Sequence, residues 1–480
     1  MTGSDDLLER LAATLGPRGF TRDPADLAPW LEDWRKRYRG SAIGMASAAS
    51  TDEVVEVVKL CSAANVAIVP QGGNTSMVAG ATPLPDGGSL LLSMRRMNRI
   101  RSLSAQGNSA VCEAGVVLSR LHEATEAEGR RFPLTLGARG SATIGGLIST
   151  NAGGTQVLRF GTMRGLVQGL EAVLPDGTLF QGLAPLKKDN RGYDLRQLLI
   201  GAEGTLGIVT AANLKLVPAI GSRSVAWVGV SSPAKALELL HLLSSSMGDS
   251  IEGFELVPRS ALELVLAHVP GTRQPLETMH AWNLLVEATA PMAAPSPEEA
   301  LSAALGSAFA SNLAEDAVIA ANEAQAGAFW RIRDSISEAE HKDGPAAKHD
   351  LSVEVAAMPG FILEATAAVE RRFPGTRVIA FGHLGDGNVH FNVRAPEEAG
   401  SDWLQTDAPA ITGYVHDLVV AAGGSISAEH GIGQMRLSEL QRLGDPARLG
   451  VMRAIKKALD PKGIMNPGKL VPLAEATLAP

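Results

Sequence analysis

Apolar residues recur at helical spacing in "STDEVVEVVKLCSAA" (50–64), where Val54, Val58 and Cys61 share one face and Ser50 with Glu53 has the spacing of a capping box. The period then changes. "NVAIVP" (65–70) is a short continuous apolar run that ends in glycines, which predicts a buried strand. The opening stretch "MTGSDDLLERLAATLG" predicts an amphipathic helix and has neither the basic start nor the apolar centre of a signal peptide. From "NVAIVP" to about Pro218, β-rich runs alternate with Gly-rich loops, and Asp176-Gly177 within "LVQGLEAVLPDGTLF" predicts a hairpin turn. Beyond "KLVPAIGSRS" the texture becomes α+β: "VAWVGV" and "WNLLVEA" read as strands, "AKALELLHLLSS" as a helix, and "TAPMAAPSPEEA" as a loop into a capped helix. "RAIKKALDPKGIMNPGKLVP" is a helix stopped by Pro461 and followed by an irregular tail. These changes predict three segments, 1–218, 219–424 and 425–480.

Composition narrows the class. A chain of 480 residues exceeds what one hydrophobic core supports. Its net charge of -8 offers no broad positive surface for phosphate backbones, so nucleic acid is not an expected partner. Cys61 and Cys112 are too few for an iron–sulfur cluster or a structural cysteine zinc site, and they fit a reducing, cytoplasmic setting. No uncharged apolar run reaches membrane-spanning length, so no integral membrane segment is expected.

Three loops then stand out: "VPQGGNTSMVAGA" (69–81), "LGARGSATIGGLISTNAGG" (136–154) and "IGAEGTLGIVT" (200–210). Each mixes Gly with Asn, Thr or Ser, so backbone N–H groups and hydroxyls can crowd a phosphate without Cβ clashes. One such loop is a turn; three in one region point to a nucleotide. No Gly-x-Gly-x-x-Gly follows a strand, and "GIMNPGKL" (463–470) has Leu470 where a P-loop needs Ser or Thr.

A second cluster lies in "FGHLGDGNVHFNV" (381–393). With Asp386-Gly387 as a two-residue type I′ turn, His383 pairs with His390 and Asn392 points the same way. Opposed Cβ atoms lie roughly 5 Å apart, which suits two imidazoles on one metal ion. Glu429 in "ISAEHGIGQMR" offers a carboxylate, and a His₂-carboxylate set with open positions is the form of a catalytic zinc or manganese site. Glycines 431 and 433 allow an irregular turn that could bring Glu429 and His430 to one side. On the residues alone, the metal and a plain hydrogen-bonding role for the histidines stand level. In "FWRIRDSISEAEHKDGPAAKHDLSVE" (329–354), Arg333 and Ser337 are four apart on a predicted helix, while Lys348 follows a Gly-Pro loop and precedes a short strand. Arg333 can grip a carboxylate bidentately and Lys348 can add a point charge. Ordinary surface charge is the competing reading, and His341 and His349 read as surface residues.

"PQGGNTSMVAG", "GSATIGGLISTNAGG" and "KDNRGYDLRQLLIGAEGTLGIVT", in this order, closely resemble the FAD domain of the vanillyl-alcohol oxidase type of flavoprotein. More narrowly, they resemble its D-2-hydroxyacid dehydrogenase branch, which includes D-2-hydroxyglutarate, D-lactate and glycolate dehydrogenases. The likeness runs from about Asp33 to Leu470, with Ser76 and Ala79 where glycines are common. The resemblance implies an α+β protein: an FAD-binding domain over 1–218, an α+β substrate (cap) domain over 219–424, and a C-terminal helical segment over 425–480 that carries Glu429 and His430 and packs back on the FAD domain. It assigns FAD to Gly72, Gly73, Asn74, Thr75, Ser76, Gly137, Ser141, Thr143, Ile144, Gly145, Gly146, Asn151, Gly153, Ile208 and Asn466. With no His in these loops, the FAD is expected to be held noncovalently.

The resemblance also favours the metal reading, with His383, His390 and Glu429 as ligands of zinc or manganese. Arg333, Ser337 (where Thr is common) and Lys348 become the carboxylate-binding residues, with Asn392 orienting the substrate. The implied reaction is oxidation of a D-2-hydroxy acid to the 2-oxo acid, with His430 as general base and hydride passing to flavin. D-2-hydroxyglutarate leads the substrates; D-lactate, D-malate and glycolate follow. An electron-transfer flavoprotein, a quinone-linked protein or oxygen is the expected acceptor, and a homodimer the expected assembly. A metal-dependent hydrolase leaves the flavin-like loops unexplained. A noncatalytic flavin subunit leaves the His₂Glu set and the Arg/Lys pair unexplained.

Overall fold

The computed structural model describes residues 3–472. Met1 and Thr2 of the expected N-terminal helix, and residues 473–480 of the expected C-terminal segment, lie outside the described residues. The chain divides into two units. The first takes the described residues of Met1–Gly154, Phe160–Pro218 and the described residues of Glu429–Pro480; the second takes Thr155–Arg159 and Ala219–Ala428.

In the first unit, a four-stranded sheet runs in the order Phe20–Thr21, Gly44–Ser47, Ser89–Ser93, Ala67–Gln71, and its last three strands are parallel. The helix Thr51–Ala64 makes the crossover between Gly44–Ser47 and Ala67–Gln71. Ser50 Oγ accepts from the Glu53 N–H at 3.2 Å, and Glu53 Oε2 accepts from the Ala49 N–H at 2.8 Å, one residue earlier than a strict capping box. The helix buries Val54, Val57, Val58, Leu60 and Cys61. Each aliphatic side chain so buried contributes roughly 1.5–3 kcal/mol, more than the ~1 kcal/mol of a cap, so packing decides that this segment is helical. Asn65, left-handed at φ 54°, ends it. Ile68 bonds through both backbone groups to Ile464 and Asn466, so residues 464–466 extend the sheet edge beside Ala67–Gln71.

A second, antiparallel sheet of this unit orders Ile100–Ser104, Ser109–Glu113, Ile208–Lys215, Val167–Val173 and Leu179–Gly182. The turn at Asp176-Gly177 joins the last two strands, with Gly177 at φ +83°. Helix Pro446–Leu459 is fixed by the buried Lys456, whose Nζ donates to Thr205 O at 2.7 Å, Met465 O at 2.8 Å and Asp460 Oδ2 at 2.5 Å.

The second unit is built on one seven-stranded antiparallel sheet. Its order is Asp316–Ile319, Ile220–Val230, Trp282–Pro291, Ile251–Pro258, Arg377–His383, Asn388–Arg394, Ala346–Ser352. One of its faces packs on Arg259–His268, Glu323–Asp334 and Ile336–Asp343 through Trp227, Val257, Leu285, Phe329, Ile336 and Phe381. The expected boundary at 424 falls instead at 428. Ser425 and Ser352 exchange backbone bonds of 2.8 and 3.1 Å, and the Ala428 N–H reaches Asp350 O, so these residues stay with the sheet. Thr155–Arg159 joins the same unit: Arg159 Nη1 donates to Thr289 Oγ1 at 2.7 Å and to Glu252 Oε2 at 3.2 Å.

Candidate active site

In the first unit the three glycine loops close round a cavity of about 720 Å³, a size proper to a small-molecule or cofactor pocket. Strand Ala67–Gln71 ends where the chain must pass very close to a neighbouring loop. A Cβ on Gly72 would lie 2.1 Å from Thr143 Oγ1, and one on Gly73 would lie 1.9 Å from Ser141 O. Only glycine leaves the cradle open at both positions. Asn74 is left-handed at φ 54° and anchors the loop through Nδ2 to Glu32 O at 2.9 Å. Ser76, where a glycine is common, has a task of its own: its Oγ accepts from the Gly80 N–H at 3.0 Å and the Val78 N–H at 3.3 Å.

The cavity wall includes Gly72, Gly73, Asn74, Thr75, Ser76, Gly137, Ser141, Thr143, Gly145, Gly146, Gly153 and Ile208, and also Glu429 and His430. Three expected cofactor residues are absent from it. Ile144 is buried in the core below. Asn151 caps the helix Ile144–Thr150 and accepts from the Arg164 N–H at 2.9 Å. Asn466 ties the tail down, donating through Nδ2 to Glu203 O at 2.7 Å and Gly80 O at 3.0 Å. Glycine and other small residues mark both tight backbone packing and ligand contact, so the sequence does not separate the two roles.

The wall is suited to a flavin dinucleotide. Thr143 Oγ1 is buried and has no hydrogen-bond partner among the described residues, and it faces Gly72, whose missing side chain leaves the cradle open. Such an atom, desolvated and open on the ligand side, needs a polar partner. Glu203, missed in the sequence, shapes the same wall. It is left-handed at φ 50°, and its carboxylate accepts the N–H groups of Ile432 and Gly433, both at 2.8 Å. Burial pushes its carboxyl above the usual range, while those bonds and the charges of Arg436 and Lys469 pull it back. The loop carrying Glu429 and His430 is thereby pinned to the cavity.

In the second unit, His383, His390, Asn392 and Lys348 share one sheet face. The 382–392 hairpin differs from its expected form. Its connection is the four-residue 384–387, with Asp386 Oδ1 accepting from the Asn388 N–H, so His383 pairs with Asn388 and His390 with Phe381. Gly382, at φ +152°, lies where a Cβ would be 2.3 Å from Asn388 O. The slip is two residues, and an even slip keeps side chains on their face. His383 and His390 therefore still meet diagonally, with ring centroids 5.6 Å apart.

Around them lie carboxylates the sequence reading did not find. Glu255 Oε2 accepts from Arg333 Nε at 2.8 Å, and its Oε1 is 2.5 Å from His383 Nδ1. Burial alone would raise its carboxyl, but Arg333 and His383 beside it hold it at about 2. Asp350, directly across from His390, stands 4.0 Å from its Nδ1. Glu340 accepts from Asn392 Nδ2 at 2.7 Å and lies 3.4 Å from Lys348 Nζ. The signal for Glu255 was present: a glutamate in the middle of "IEGFELVP", a strand buried at every position.

Arg333 and Ser337 lie on two helices, not one. Glu323–Asp334 ends at Ser335 and Ile336–Asp343 begins there, which leaves Ser337 exposed and Arg333 half-buried. Lys348 sits inside the strand Ala346–Ser352, opposite Asn392, and its Nζ donates to Ser337 O at 3.3 Å. His349, expected at the surface, is buried on the other face, where its Nδ1 is 2.7 Å from Phe391 O. Strand alternation, read from Lys348, accounts for it.

The nucleotide-sized cavity walled by glycine loops defines a flavin-binding protein of the vanillyl-alcohol oxidase type. Solved structures share the fold. An alkyldihydroxyacetonephosphate synthase has a TM-score of 0.75 at 17% identity, covering 97% of this chain and 85% of its own. p-Cresol methylhydroxylase with substrate bound has a TM-score of 0.71 at 16% identity, covering 98% and 97%. Residues 42–182 match the FAD binding domain family, and residues 221–470 match the C-terminal domain of FAD linked oxidases.

D-2-hydroxyglutarate dehydrogenases are similar over nearly the full length. The mitochondrial one of Arabidopsis thaliana is 37% identical over 95% of this chain and 80% of its own. That of Bos taurus, also mitochondrial, is 38% identical over 98% and 84%. The one from Xanthomonas citri pv. viticola is 36% identical over 93% of both chains. The chain belongs to the FAD-binding D-2-hydroxyacid dehydrogenase family and is an FAD-dependent oxidoreductase. The expected cytoplasmic location is overturned by the plant and bovine relatives, which are mitochondrial enzymes. Scarce cysteines speak for a reducing milieu, and that does not single out one compartment. Among the described residues, no helix is long and apolar enough to cross a membrane.

Proposed function

We propose that this chain oxidises a D-2-hydroxy acid, D-2-hydroxyglutarate first among the candidates, to the corresponding 2-oxo acid. The observation that carries the reading is that His383, His390, Lys348 and Asn392 share one sheet face of the second unit, where Arg333 reaches His383 from the helix Glu323–Asp334. Arg333 binds a carboxylate through its guanidinium and Lys348 adds a second positive charge, which favours a dicarboxylate over a simple hydroxy acid. Asn392, held by Glu340, orients the substrate. His430 receives the hydroxyl proton at a ring nitrogen, a role suited to an imidazole near neutral pH. When bound, the noncovalent FAD accepts the α-hydrogen as hydride, and a zinc or manganese ion on His383 and His390, with Glu429 as the carboxylate the family resemblance adds, would acidify the substrate hydroxyl. The proposed electron acceptor is an electron-transfer flavoprotein, a quinone-linked protein or oxygen, and the proposed assembly is a homodimer.

Anaerobic mixing with D- and L-2-hydroxyglutarate, lactate and malate, and with glycolate, tests the reading. D-2-hydroxyglutarate is expected to bleach the flavin fastest, with its L-isomer inert. A flavin that none of these acids bleaches refutes the reading.

A further inference from the structure

We propose that Glu255 is a positioning residue for this oxidation: one buried carboxylate that sets the tautomer of His383 and the aim of Arg333 together. The proposal rests on the reading above, in which His383 holds a cation and Arg333 a substrate carboxylate.

Glu255 is 1% exposed and lies directly across the sheet from His383, so its placement is set by strand pairing and not by a flexible arm. Its two oxygens serve two different masters: Oε2 accepts from Arg333 Nε and Oε1 meets His383 Nδ1. An ionised carboxylate can only accept, so His383 Nδ1 carries a proton. A guanidinium can only donate, and Arg333 Nη2 is 3.3 Å from His383 Nε2, so Nε2 carries a lone pair. Both contacts are met by a ring with its proton on Nδ1. That is the form in which an imidazole binds a metal through Nε2, with a carboxylate behind it raising its basicity.

The arrangement also couples the two ligands. A cation and Nη2 cannot both use the Nε2 lone pair. A cation held at Nε2 would displace Nη2 from the ring and would leave Nε on Glu255. An ion pair serving stability alone has no need to join these two residues, and buried pairs are weak stabilisers.

The test uses the full chain loaded with FAD, and the variants Glu255→Gln and Glu255→Asp. Zinc affinity is read by chelator competition, and KM and kcat are read with D-2-hydroxyglutarate. Glu255→Gln is expected to keep its flavin and its cooperative melt, to lose roughly 10–100-fold in zinc affinity, and to raise KM roughly tenfold. Excess zinc should restore kcat but not KM, because only the His383 arm answers to metal; Glu255→Asp, which keeps the charge, should recover part of both. Wild-type zinc affinity and KM in Glu255→Gln overturn the proposal. So does equal impairment of both variants that zinc cannot alter. Should Glu255→Gln fail to fold, the same readouts on Glu255→Asp decide: smaller shifts in the same directions support the proposal, and wild-type values overturn it. Wild-type protein that takes up no zinc and is not bleached brings down the reading beneath; wild-type protein that does both while the variants match it brings down Glu255 alone.

Discussion

Asn392 donates through Nδ2 to Glu340 Oε2 at 2.7 Å, and the same oxygen lies 3.4 Å from the Lys348 ammonium. Glu340 is 0% exposed in its side chain, and its Oε1 has no hydrogen-bond partner among the described residues. Burial lifts its carboxyl above the usual range, with Lys348, Asn392 and Arg394 opposing. A carboxyl raised on folding contributes stability in acid that is lost as pH rises through its folded value. Asn392→Leu removes a donor to the charged form and lifts that value further. The variant is expected to lose about 1–3 kcal/mol at neutral pH and less below the glutamate range. Urea denaturation at the two pH values checks this, and an equal loss at both contradicts it.

Gly73→Ala puts a methyl where Ser141 O already stands, 1.9 Å away. Backbone cannot yield as a flexible side chain does, so the 72–76 loop must leave its place. The purified variant is expected to carry little or no FAD while keeping its secondary structure. The ratio of flavin to protein absorbance and the circular dichroism spectrum measure both. Stoichiometric FAD in the variant would show that this loop does not shape the cradle.

Lys469 Nζ is buried without a hydrogen-bond partner among the described residues, and burial lowers its pKa to about 8 against the pull of Asp86 and Glu203. Between that value and the ~10.4 of an unfolded chain, the unfolded state binds more protons, so stability rises with pH across this window. Lys469→Met removes the dependence and is expected to be the more stable protein at pH 7, by on the order of 1–3 kcal/mol. Urea midpoints of the two proteins should differ at neutral pH and converge at pH about 10.

His430 lines the flavin cavity beside Glu429. His430→Asn is expected to bind FAD normally and to slow flavin reduction by roughly 10²–10⁴-fold. Anaerobic stopped-flow measures it. A wild-type rate would remove His430 from proton transfer.

The flavin cradle was legible because its signal is local: glycines at 72 and 73 are dictated by contacts that any substitution violates. The sheet face was legible in part. Alternation placed His383, His390 and Asn392 together even though the turn was assigned two residues too short, since parity survives an even slip. Glu255 stood out as a glutamate within an apolar strand, but its partner was not legible, because His383 lies 128 residues later and nothing near either residue announces the pairing. The break at Ser335 was hidden for another reason. The residues on both sides are ordinary helix formers, and the chain changes direction to pack Ile332 and Ile336 into the same core.

Glu203 bonds to the backbone of residues more than two hundred positions later in the chain. The consequence concerns how such genes can diversify. An exchange of residues 219–428 would carry off His383, His390, Arg333 and Lys348 as one contiguous insert and leave His430 with the first unit. On the roles proposed above, such a cassette would change the acid that is held and keep the proton acceptor with the redox machinery.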